Sequence, residues 1–81
     1  MPVQEELERY RMDALYFEQH RQDLLHRYPE RWIAVYNQEV VATARRLPQL
    51  LQQLENRGLP RAQVFIEHVS AKEVLLILPA P

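Results

Sequence analysis

Few side chains in this 81-residue sequence have the type and spacing that chemistry requires. His20, His26 and His68 are its only imidazoles. His20 and His26 stand six apart, which puts them on different helix faces and away from the i, i+4 spacing of a helical metal pair. His68 follows Glu67 in a strand-like run, where neighbours point to opposite faces, so the two cannot share a site. Asp13 and Asp23 lie ten apart and make no carboxylate dyad on their own helix. Ser70 is the single serine; it has no G-x-S-x-G surroundings and reads as a turn residue. No cysteine is present, which excludes disulfides and thiolate metal sites. The one glycine, Gly58, cannot supply a phosphate-cradling loop. These residues predict no catalytic residue, no metal site and no cofactor, so a binding surface is the better expectation than an active site.

Two sets of residues qualify as surface candidates. Arg45, Arg46, Arg57 and Arg61 flank one predicted helix, and a basic patch of that kind suits phosphate contacts. The net charge of −1 and the lack of a groove-reading motif disfavour nucleic acid. A nucleic-acid-binding or antitoxin-like regulator is therefore the second reading. Tyr10, Phe17, Arg21 and Leu76 are the candidates for protein contacts, with aromatic side chains as natural anchors.

The elements that position these residues follow from periodicity. Val3, Leu7, Tyr10, Ala14, Phe17, Leu24 and Tyr28 recur at alternating spacings of four and three, with Arg21 as the polar interruption. Acidic residues crowd the start of this run and basic residues its end, matching the helix dipole, and Pro29 stops it. The pattern predicts one long helix over residues 3–28. Such a helix spans roughly 36 Å against about 17 Å for a five-residue strand, so it must overhang any sheet this chain builds. Arg21 then either snorkels from the edge of the core, which is the favoured reading, or marks where the helix leaves one contact surface for another.

Trp32–Tyr36 and Val40–Ala44 predict a β-hairpin turning at Asn37-Gln38. Asn tolerates the left-handed conformation a two-residue turn needs, whereas Gln is a poor substitute for the usual Gly, leaving room for a longer loop or a bulge. A two-residue turn would place Ile33, Val35, Val40 and Ala42 on one face and Trp32, Ala34 and Val41 on the other. Both faces are apolar, so the sheet should be covered on both sides. Pro48, the Leu47/Leu50/Leu51/Leu54 stripe and Gly58 mark a short second helix, with Leu59 placed for a Schellman contact to Leu54. Val64–Val69 predicts a third strand, and Val74–Leu78, closed by Pro79, a fourth that is either interior to the sheet or paired with another chain.

Composition sets the remaining bounds. With 47% apolar and 26% charged residues the chain is globular and makes one domain, residues 1–81. A chain this short is marginally stable unless something is added, and without cysteine or metal that something is oligomerisation, a homodimer being favoured. Nothing after Met1 resembles a leader, and no apolar run approaches a bilayer span, so a cytoplasmic location without membrane contact is expected.

The segment Tyr28-Pro29-Glu30-Arg31-Trp32-Ile33-Ala34-Val35, followed by Glu39-Val40-Val41-Ala42, resembles a family of short prokaryotic proteins known only as a domain of unknown function. Arg31, Trp32, Ala34, Val40, Val41, Gly58, Ile66 and Val69 fall on that pattern, and Glu30 and Gln38 stand where it carries Gly. The resemblance implies no catalytic residues. It also implies a small partner, since members are often encoded beside a retroviral-type aspartic-protease-like protein. Together these readings predict an α+β domain, α-β-β-α-β-β, with a long and a short helix on a three- to four-stranded sheet. The expected function is a non-enzymatic, self-associating protein-interaction module.

Overall fold

A computed structural model describes residues 2–70. The strand expected at Val74–Leu78, with Leu76, lies outside the described residues. Among the described residues the fold is α+β, three α-helices on a three-stranded antiparallel sheet.

The single helix expected over residues 3–28 is in fact two, α1 (Pro2–Gln19) and α2 (Arg21–Arg27). Between them His20 leaves helical geometry at φ −111°, ψ 14°. Its Nδ1 donates to the Tyr16 carbonyl oxygen at 2.8 Å, the same oxygen that accepts the His20 backbone N–H at 3.0 Å. The ring also stacks on Tyr16, with centroids 4.2 Å apart. A side chain competing for the i→i−4 ladder is a known cause of a helix break. Hydrophobic periodicity continues through the break, which is why it is invisible in the apolar pattern.

The hairpin comprises β1 (Arg31–Val35) and β2 (Val40–Ala44). A short 3-10 helix, Arg61–Gln63, leads into β3 (Phe65–Val69). The sheet order is β2-β1-β3, all antiparallel, so β1 is central. Asn37 (φ 55°) and Gln38 (φ 59°) are both left-handed, and Tyr36 donates its N–H to the Glu39 carbonyl at 2.9 Å, closing a two-residue turn. Beyond it the register slips: Val35 pairs with Val40 but Ala34 with Ala42, which leaves Val41 as the extra residue of a bulge. The bulge corrects the expected alternation. Ala42 and Ala44 now share a face with Ala34, while Val40 stays with Val35 and Ile33.

That exchange builds two cores. On one face Ala34, Ala42 and Ala44 give Leu50 and Leu54 of α3 (Leu47–Asn56) room to close on the sheet. On the other, Ile33, Val35 and Val69 pack against Phe17 of α1 and Leu24 of α2. The sheet is thus covered by α3 on one side and by α1 and α2 on the other. Helix α3 ends as its sequence predicts. Gly58 takes φ 70°, donating to Glu55 O at 3.0 Å, while Leu59 N–H reaches Leu54 O at 2.9 Å, the paired bonds of a Schellman motif.

Candidate functional site

Helix α1 divides into a face fastened to the sheet and a face open to solvent. The fastened side follows the i, i+4 ridge Arg9, Asp13, Phe17, continued past the break by Arg21. The Arg9 guanidinium lies 4.6 Å from the Tyr36 ring centroid and donates to Gln63 Oε1 at 3.0 Å, while Gln63 Nε2 donates to Glu6 at 3.0 Å. Asp13 is fully buried, and its two carboxylate oxygens accept the backbone N–H groups of Asn37 (3.1 Å) and Gln38 (2.6 Å). One side chain of α1 therefore holds the hairpin turn that sequence alone left open. Phe17 is wholly buried, with its ring 5.3 Å from that of Phe65.

Arg21 joins the helix break to β3. Its guanidinium pairs with Glu18 at 2.6 Å and with Glu67 at 2.8 Å, and lies 5.0 Å from the Phe17 ring centroid. The hydrogen bond from Arg21 holds the Glu18 carboxyl below its ordinary value, and the same bond, against some desolvation, raises Arg21.

Around the rest of the helix stand apolar residues that the sheet leaves partly uncovered. Leu7 is 63% exposed, Leu15 48%, Met12 41% and Tyr10 40%, and the large exposed hydrophobic residues among the described ones all lie on this helix. The heptad reading placed Leu7 in one apolar stripe with Tyr10 and Phe17. The polar ridge at Arg9 and Asp13 rotates the inner face away from it. Beside this surface, Glu5, Glu8, Met12 and the turn residues Asn37 and Gln38 line an open groove of about 790 Å³.

The candidate residues thus fall in different places. Tyr10 is partly exposed, with its edge towards Phe65 at 5.6 Å between centroids. Phe17 is core, which withdraws it as a surface contact, and Arg21 is engaged with two carboxylates. The four arginines do not gather. Arg45 and Arg46 precede α3 and Arg57 follows it, separated by about 16 Å of helix, with Arg61 beyond on the 3-10 turn. Arg57 donates to the Val41 carbonyl at the bulge, and Gln53, one helical turn earlier, donates to the Thr43 carbonyl at 2.9 Å. These two side chains occupy carbonyls on the outer edge of β2 and so blunt that edge for strand addition. His68 lies half-buried against Trp32, 5.2 Å between centroids, whereas Glu67 points to the opposite face. Among the described residues no group of three His, Cys, Asp or Glu could hold a metal ion, and no helix is long and apolar enough to cross a membrane.

Sequence reasoning considered Asp13 only as half of a dyad and so missed its role. Two signals were available: an acid in phase with Phe17 on the inner face, and a turn needing two positive φ angles without a glycine.

No curated protein and no solved structure matches this chain. A family model does match, over residues 23–72, which takes in most of α2, the whole sheet and α3 and leaves α1 outside the matched range. That covers more than half of the sequence, and the chain belongs to the family of unknown function DUF5678.

Proposed function

We propose that this chain is a non-enzymatic protein-interaction module that self-associates and also takes a small protein partner, with α1 as its contact element. The observation that carries this reading is the concentration of exposed Leu7, Tyr10, Met12 and Leu15 on one helix that lies outside the family match. An exposed apolar patch rimmed by charge is the usual signature of a protein contact. The blunted β2 edge supports a helical contact over strand addition on that side.

Sedimentation equilibrium on the full chain, with and without Leu7→Ser/Leu15→Ser, tests the reading. The parent should show mass rising with concentration, and a protein captured by it in stoichiometric amount should be lost with the double variant. A mass of one chain at every concentration, together with capture indifferent to the substitutions, would remove the proposal.

A further inference from the structure

We propose that α1 pairs antiparallel with α1 of a second copy, through the face turned away from the sheet; this rests on the self-association proposed above. Residues two apart on a helix point to nearly opposite sides, about 160° apart. Leu7, Arg11 and Leu15 each stand two positions before a member of the Arg9–Asp13–Phe17 ridge, so they form the ridge opposite it. Glu8 and Met12 lie beside them. All five are exposed, and on an ordinary surface helix this face is polar throughout. Neither Glu8 nor Arg11 has a salt-bridge partner among the described residues.

The order of these residues makes the face complementary to itself. About a two-fold axis near Arg11, an antiparallel neighbour sets Leu7 beside the second copy's Leu15 and Leu15 beside its Leu7. The same operation brings Glu8 within one helical turn of the second copy's Arg11, and the reverse contact follows by symmetry. The two Arg11 side chains meet near the axis, each flanked by Glu8 from both copies. A parallel pairing would keep that spacing but set Glu8 directly on Glu8, whereas the antiparallel one holds the two Glu8 side chains six residues, about 9 Å, apart along the axis. An isologous contact of this kind closes after two copies and leaves α3 free for another partner.

The charge order gives a test that composition alone would not pass. Sedimentation equilibrium is run on the full chain, on Glu8→Arg, on Arg11→Glu, and on an equimolar mixture of those two variants, with circular dichroism confirming that each is folded. The parent forms dimers. Each single reversal puts like charges together twice and weakens dimerisation about tenfold or more. The mixture recovers parental affinity, because one Glu8→Arg chain and one Arg11→Glu chain restore two opposite-charge contacts. If parent and variants dimerise equally, or the mixture does no better than its components, the antiparallel pairing is overturned while self-association stands. A parent with the mass of one chain at all concentrations overturns both.

Discussion

Replacing Asp13 by Ala tests whether one carboxylate holds the hairpin. Asp13 is fully buried and accepts two backbone N–H groups, from Asn37 at 3.1 Å and Gln38 at 2.6 Å. A hydrogen bond to a charged group contributes about 1.5–3 kcal/mol net. Two such bonds set an upper range, reduced because the exposed turn amides can turn to water once the acid is gone and because the buried charge no longer has to be desolvated. The expected loss is about 2–3 kcal/mol, a fall in Tm of about 10–20 °C for a domain of this size. Gln38 also carries a left-handed conformation that costs a non-glycine residue about 1–2 kcal/mol. Gln38→Gly removes that strain with or without the clamp, so Asp13→Ala should cost as much in the glycine background as in the parent, or more if the unclamped Gln38 turn relaxes. The assay is urea unfolding of the four proteins of this double-mutant cycle, with hydrogen exchange at the Asn37 and Gln38 amides as the local readout. Asp13→Ala should leave both amides unprotected. A loss under about 0.5 kcal/mol, or turn amides that stay protected after Asp13→Ala, would refute the clamp.

Three other expectations follow from particular contacts. Leu54→Ala, at a buried position closing α3 on the alanine face, should destabilise by about 2–5 kcal/mol in urea unfolding with no change in slope. Gln53→Ala/Arg57→Ala frees the Val41 and Thr43 carbonyls on the β2 edge; folding stability should fall by less than about 1 kcal/mol while light scattering on heating rises, since an open edge invites pairing. Glu18 has a depressed folded-state pKa because Arg21 hydrogen-bonds it, so its contribution to stability is present above the ordinary carboxylate value and is lost as pH falls through the folded one. An NMR titration should place Glu18 below that ordinary value, with Arg21→Gln returning it there. The effect on stability is small and screened by salt, because the pair is largely exposed.

Wherever a local rule decided the structure, the sequence was legible. Pro48, the leucine stripe and Gly58 gave α3 and its Schellman end, because caps and stripes act within a few residues. The hairpin strands, and the apolar character of both their sides, were legible for the same reason, and the scarcity of Ser, Gly and Cys set the expectation of a binding surface. Residues far apart in the chain decided the rest. The turn keeps two residues without glycine because Asp13 reaches it from 24 positions away. Glu30 also takes a left-handed φ of 55°, a conformation that favours Gly, and its carboxylate accepts the Ser70 hydroxyl at 3.2 Å. The Val41 bulge moved Ala42 across the sheet, a slip of one residue that a period of two cannot register by itself. Which side of α1 is buried was likewise settled outside the helix. Its apolar stripe favoured Leu7, yet Asn37, Gln38, Tyr36 and Gln63 offered partners to Arg9 and Asp13, and those polar contacts, together with Phe17, fixed the rotation that leaves Leu7 and Leu15 in solvent. Periodicity measures how much apolar surface a helix offers, whereas its orientation depends on what the sheet presents to it.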